Sequence, residues 1–217
     1  MTTAPTTPDC KQTVNAVGIA CSDLFGVIYA DPPWTYQQKG VHGAAAKQYP
    51  LMTDDELCAM HIPAAKDCIL YMWTTSPLLE SGLRVMKAWG FNYKSQAVWD
   101  KMRTGIGFWW IGQHETLMVG VRGNVKPPPP QLRRSSVIRC PRGRHSAKPD
   151  QVRDWIAAWY PDVPKLEMFS RLKRPGWEVF GNQVEYDLLS GDAMTPNDPS
   201  SPAPGRGTGV ESGKKTK

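Results

Sequence analysis

The stretch FGVIYADPPW, residues 25–34, decides how the rest of the chain is read. FGVIYA is a short apolar run of strand length, and Asp31-Pro32-Pro33-Trp34 follows it with no spacer. Two prolines fix φ and remove two backbone donors, so their carbonyls are offered as rigid acceptors. Asp31 adds a further acceptor and a negative charge, and Trp34 adds a flat apolar face. Together they suit a planar ring carrying an exocyclic amine: the ring stacks, and the amine donates to carboxylate and carbonyl. Strands that simply end in Asp-Pro are common, so the surrounding chain has to carry part of the argument.

Outward from this stretch, short apolar runs alternate with helical patterns. Residues 53–60 open as a helix, because Thr53 and Glu56 have capping-box spacing and acids fill the first turn. Residues 68–74 (CILYMWT) form another strand-length apolar run. Residues 77–89 have an amphipathic period, with Pro77 suited to a first turn and Gly90 to a stop. Residues 93–99 and 116–121 (TLMVGV) are further strand candidates. Residues 150–159 place Val152, Trp155, Ile156 and Trp159 on one helical stripe, and residues 165–169 and 177–180 close the pattern. This alternation predicts an α/β fold, a mainly parallel sheet with helices on both faces. Ligands of such sheets sit at the carboxyl ends of the strands, where Asp31 falls.

The chain has 217 residues, 41% hydrophobic and 21% charged, enough to bury one core. No apolar run approaches the roughly 18–20 residues of a membrane span, and the opening MTTAPTTPDCKQT has none of the apolar stretch of a secretory signal. Residues 1–14, rich in Thr and Pro, and residues 191–217, rich in Pro, Gly and Ser, bury too little to offset their ordering entropy. The expected folded domain is therefore 15–190, between a disordered leader and a disordered tail. The five cysteines (Cys10, Cys21, Cys58, Cys68, Cys140) contain no CxxC pair, and the four histidines (His42, His61, His114, His145) show no HxxxH or HxH spacing. That argues against a disulfide framework, a zinc site and a catalytic metal, and fits a reduced, cytoplasmic setting with no membrane partner. Lys and Arg number 26 against 20 Asp and Glu, a net +6 that permits a polyanionic partner without proving one.

DPPW after an apolar strand resembles the catalytic motif of amino-group methyltransferases that use S-adenosylmethionine. The DPPW form is similar to the MT-A-seventy-like adenine-N6 family, which includes the catalytic subunit of the eukaryotic mRNA adenosine methyltransferase. The likeness continues downstream in YPLMTDDEL (49–57), Ile62-Pro63, LYMWTT, Trp89-Gly90-Phe91 and Trp99-Asp100-Lys101. It runs on through GVRGN (120–124), HSAKPD (145–150), EMFSR (167–171) and GNQ (181–183), collinear over about residues 25–185. Two departures stand out. The segment TYQQKGVHGAAAKQ (35–48) looks longer than in the eukaryotic relatives and reads as a mobile lid. Leu172-Lys173-Arg174 replace the family's polar residues after the arginine. The family's adenine-binding aspartate has no clear match here; Asn15 and Asp23 are the nearby polar residues.

The resemblance implies a permuted Rossmann-like methyltransferase fold in which Asp31, Pro32, Pro33 and Trp34 form the catalytic segment. It implies S-adenosylmethionine bound by Asp31, Lys148, Arg171, Asn182 and Gln183, and substrate touched by Lys148 and by Tyr49, which would stack. Glu115 either helps to orient the base or forms a surface ion pair.

Six basic residues and no acid lie in residues 133–148: Arg133, Arg134, Arg139, Arg142, Arg144 and Lys148. A solvated loop is the ordinary reading of such a run; beside a substrate lysine, Arg133, Arg134, Arg142 and Arg144 are read as phosphate contacts. GIGFWW (105–110) is a second surface, suited to base stacking or to a subunit contact in a homodimer or heterodimer. The expected function is methyl transfer from S-adenosylmethionine to the N6 amine of adenine in nucleic acid. The compact build suggests a bacterial or phage member and favours DNA over RNA. The rival readings are a non-catalytic nucleic-acid-binding subunit and a methyltransferase for a small-molecule or protein amide.

Overall fold

FGVIYA forms β1 (Phe25–Ala30). Its alternate side chains enter two separate cores, Ile28 and Ala30 on one face and Val27 and Tyr29 on the other. A strand apolar on both faces belongs in the middle of a covered sheet. The computed structural model of the chain describes residues 24–35, 51–143, 147–170 and 172–180, and places β1 there. In chain order the other elements are α1 (Asp54–Ala59), β2 (Ala64–Thr74), α2 (Leu79–Ala88), β3 (Asn92–Asp100), β4 (His114–Arg122), β5 (Val137–Arg139), α3 (Asp150–Trp159), β6 (Lys165–Met168) and β7 (Glu178–Phe180). Among the described residues seven strands form one sheet in the order β5-β3-β4-β2-β1-β6-β7.

β1 runs parallel to β2 and β6, β6 to β7, and β3 to β5, while β4 is antiparallel to both β2 and β3. The parallel majority and the helices on both faces agree with the sequence reading. The reversal at β4 and the three-residue β5 were not anticipated. β4 carries its amino end, His114 and Glu115, to the sheet edge where the parallel strands present their carboxyl ends.

Leu57 of α1 and Val85 and Met86 of α2 pack with Cys68, Leu70 and Met72 on one face of the sheet. Val152 and Ile156 of α3 pack with Ile69, Tyr71 and Trp73 on the other. The α1 start is as its spacing requires: Glu56 N–H donates to Thr53 Oγ1 at 3.2 Å, and Thr53 N–H donates to the Glu56 carboxylate at 2.7 Å. Pro77 lies in a 3₁₀ turn (Ser76–Leu78) that leads into α2. Gly90, at φ +82°, ends α2: its N–H bonds Lys87 O and that of Phe91 bonds Met86 O, the left-handed stop that favours glycine.

The GVRGN segment acts at the opposite end of the sheet from Asp31. Gly123 has φ +69°, and a Cβ there would collide with Lys66 O and the Asp67 carboxylate, which accepts from Asn124 N–H at 2.7 Å. This part of the family likeness therefore maintains a turn.

Tryptophan ties these layers together, because a buried indole must place its N–H on an acceptor. Trp34 donates to Trp73 O, Trp73 to Tyr29 Oη, Trp89 to Leu57 O, Trp99 to Cys140 O and Trp159 to Leu132 O, at 2.7–3.1 Å.

Candidate active site

The sheet order reverses beside β1, where chain-adjacent β2 lies on one side and β6 on the other. Crevices at such switch points take the ligands of open α/β sheets, and Asp31-Pro32-Pro33-Trp34 emerges there. A short bridge fixes the segment: Met52 N–H donates to Pro33 O at 2.8 Å, and Thr35 N–H donates to Met52 O at 3.1 Å. Trp34 N–H donates to Pro32 O at 2.9 Å, closing a three-residue turn.

These contacts bear on two readings of the motif. The Pro33 carbonyl already accepts one bond, from Met52 N–H. The Pro32 carbonyl already accepts one bond, and a carbonyl has room for a second. Trp34 is only 7% exposed, with its ring among Leu57, Met72 and neighbouring apolar side chains and its N–H on Trp73 O. A side chain buried this way holds the loop; it presents little open face for a base.

Asp31 and Lys148, 117 residues apart in sequence, meet with Nζ 2.8 Å from Oδ2. Lys148 also pairs with Glu115 at 3.3 Å, and Glu115 with Lys101 at 3.4 Å. The side chains are 40% exposed for Asp31, against 13% for Lys148, 17% for Glu115 and 20% for Lys101, so the open end of this charge chain is the Asp31 carboxylate. The Lys148 ammonium also stands 5.9 Å from the Trp73 ring centroid. Burial pushes the Lys148 pKa down, but Asp31 and Glu115 outweigh it and hold the group above the usual lysine value of 10.5.

A lysine whose pKa is raised in the folded state stabilises fully below its unfolded value and loses that contribution as pH rises through the folded value. The difference in urea midpoint between wild type and Lys148→Met should therefore be constant near neutrality and shrink above pH 10.5. A difference unchanged into that alkaline range would mean that the carboxylates do not hold the ammonium.

Behind this chain lies a second ion cluster. Arg153 donates to Glu167 at 2.7 Å and to Asp150 at 2.8 Å, and Arg174 reaches Asp150 at 3.0 Å. Burial raises the Glu167 carboxyl above its usual range despite Arg153. These contacts fix the start of α3, and with it Lys148.

The basic run is divided by β5. Val137↔Val98 and Arg139↔Asp100 pair in parallel, so Arg139 ends β5 and Arg142 follows it on the Asp31 edge while Arg133 and Arg134 precede it at the other edge. Arg133 donates to Pro128 O at 3.0 Å, and Arg134 lies 5.8 Å from the Trp155 ring centroid. Both pin the loop ahead of β5 rather than line the site. Arg134 also borders a cavity of about 500 Å³ walled by Tyr71, Leu117, Trp155 and Trp159, to which Asp31 and Lys148 do not contribute.

Glu115 is a partner of the site lysine, not a surface pair. Lys101 was missed altogether; its place in the Trp-Asp-Lys segment was the available signal. Tyr49, Arg144, Arg171, Asn182 and Gln183, the leader, the tail and all of the segment 35–48 but Thr35 lie outside the described residues.

A mainly parallel sheet whose switch point carries DPPW and a half-buried lysine–carboxylate pair defines a Rossmann-like methyltransferase. The chain belongs to the MT-A70 family, whose family model matches residues 25–183. It is similar to the type II methyltransferase M.MunI of a Mycoplasma species, 33% identical over 181 residues that cover 74% of this chain and 78% of the relative. It is also similar to the human N(6)-adenosine-methyltransferase catalytic subunit METTL3, 30% identical over 182 residues, 78% of this chain and 30% of the relative. The MT-A70-like N(6)-adenosine-methyltransferase of Drosophila melanogaster is 31% identical over 175 residues, with 74% and 27% covered. The chain thus spans most of the first relative and under a third of the other two.

Proposed function

We propose that this protein transfers a methyl group from S-adenosylmethionine to the N6 amine of adenine in nucleic acid, with DNA favoured over RNA. The observation that carries the reading is the Asp31–Lys148 pair at the switch point, held in the DPPW loop. The likeness to a type II methyltransferase over most of its length supports DNA.

The residues present fit the cofactor. Its methionine end carries an ammonium and a carboxylate, and Asp31 and Lys148 offer the opposite charges side by side. Arg171, after β6 in the sequence, and Asn182 and Gln183, after β7, are assigned to its adenosine end. S-adenosylmethionine, when bound, supplies an electrophilic methyl group. The adenine amine is a poor nucleophile because its lone pair is delocalised into the ring. Hydrogen bonds from its N–H groups to Asp31 and to the free lone pair of Pro32 O would favour a more tetrahedral nitrogen. Fixing that nitrogen in line is the positioning effect, worth up to about 7–11 kcal/mol in well-oriented systems. Pro32 and Pro33 serve by rigidity, since neither has an N–H to compete for Asp31. Tyr49 is assigned to stacking.

Incubation with labelled cofactor and separate duplex DNA, single-stranded DNA and RNA, followed by nucleoside mass spectrometry, tests the reading. N6-methyladenine is the expected product; its absence from all three would overturn the proposal.

Phosphate contact is assigned to the Asp31 edge. Replacing Arg142 and Arg144 by Ala should weaken DNA binding and lower the slope of log affinity against log salt by up to about one to two units, near 0.9 per phosphate on duplex. The Arg133→Ala, Arg134→Ala double variant should leave the slope unchanged. The reverse pattern would move the phosphate grip to the other edge.

A further inference from the structure

The β3–β4 connection, residues 101–113, exposes its apolar side chains almost completely: Ile106 85%, Phe108 93%, Trp109 95%, Trp110 88% and Ile111 64%. Large apolar groups left in water in a cluster mark a contact surface. The base of this hairpin is firmly built. Lys101 N–H donates to Gln113 O at 3.0 Å and Gly105 N–H to Gly112 O at 2.7 Å. The Asp100 carboxylate accepts from Met102 N–H at 2.9 Å and from Gln113 Nε2 at 2.7 Å. The hairpin leaves the sheet on the Asp31 edge, and Lys101 at its root reaches Asp31 through Glu115 and Lys148.

Its surroundings are basic. Residues 101–113 contain Lys101 and Arg103 and no acid. A cleft of about 430 Å³, lined by Lys101, Met102, Arg103, Pro141, Arg142 and Gly143, separates the root from the loop after β5. A second copy docking this patch on itself would bring like charges together, which a two-fold contact repeats on both sides. A nucleic acid offers phosphates to the cleft and stacked bases to the rings. Four extended residues can carry the tip about 13 Å beyond the root, enough to cross a groove about 8 Å deep. The target amine lies inside a paired stack and reaches Asp31 only after its base leaves it.

We propose that Phe108, Trp109 and Trp110 form a wedge that enters duplex DNA beside the target adenine and fills the stack it vacates. The proposal rests on the adenine-methylation reading and deepens it. The test compares full-length wild type with a Phe108→Ser, Trp109→Ser, Trp110→Ser triple variant, whose changes lie wholly in solvent. Two duplexes are used, one fully paired and one with an abasic site opposite the target adenine. The variant should lose about 10- to 100-fold in kcat/KM on the paired duplex, the scale of base stacking on aromatic rings, and keep most of its rate on the abasic-opposed one. In parallel, 2-aminopurine at the target position should brighten with wild type and not with the variant. This arm needs no methylation, so the wedge can be judged even if the functional reading fails. Equal losses on both duplexes, no loss on either, or equal brightening by both proteins overturns the wedge. A dimeric wild type and a monomeric, uniformly inactive variant in sedimentation would also overturn it, in favour of a subunit contact.

Discussion

Asp31→Ala should lower the methylation rate by about 10²–10³-fold, the scale of losing one preorganised transition-state hydrogen bond. The change removes the most exposed acceptor of the site and one of the two carboxylates that hold Lys148. It leaves both cores untouched, since Asp31 belongs to neither. Lys148 keeps Glu115 as a partner, so the loss of stability should stay within about 1–3 kcal/mol. Single-turnover methylation with a thermal melt checks both parts. A folded Asp31→Ala protein within about tenfold of wild type, some 1.4 kcal/mol of barrier, would remove Asp31 from the chemistry.

Trp34→Ala is expected to act chiefly on stability. Emptying a buried tryptophan site costs about 3–5 kcal/mol, a fall in melting temperature of about 6–20 °C for a domain of this size. The vacancy opens three residues from Asp31 in the same loop, and Trp73 O loses its donor. Activity should fall because the loop loosens, whereas Trp34→Phe should keep most of the fold and part of the rate. If Trp34→Ala instead melts with wild type but is inactive, the ring serves the substrate directly, as the sequence reading first proposed.

What was legible in the sequence was mostly what burial writes into it. β1, β2 and α3 show as apolar runs or stripes because their faces meet a core. The direction of β4 leaves no such trace, since TLMVGV is apolar on both faces whichever way it runs. The signal lay in residues 101–113, which have three glycines and no helical period, whereas a parallel crossover needs a dozen or more residues and usually a helix. β5 is too short to show a period. The site divides in the same way. Asp31 is marked by its proline neighbours. Lys148, far off in sequence, was joined to it only through family resemblance. Glu115 has no local mark separating it from a surface acid, because its burial depends on β4 lying beside β2. Trp34 is ambiguous in sequence because a flat apolar face serves a core or a base equally well.

The antiparallel β4 has a consequence for how this protein can change. β1 and its neighbour β2 are joined through α1, whose Leu57 packs into the core, so altering that connection means rebuilding the core. Between β3 and β4 the joint is a hairpin on the Asp31 edge, with both ends anchored and the side chains of its tip in solvent. Doubling the length of such a loop costs only about 0.6 kcal/mol in closure entropy. The fold thus carries, beside Asp31 and Lys148, a segment whose length and sequence can change at little cost to the stability of the sheet. Grafting hairpins from relatives between Lys101 and Gln113 is the natural route to new target preferences on an unaltered catalytic body.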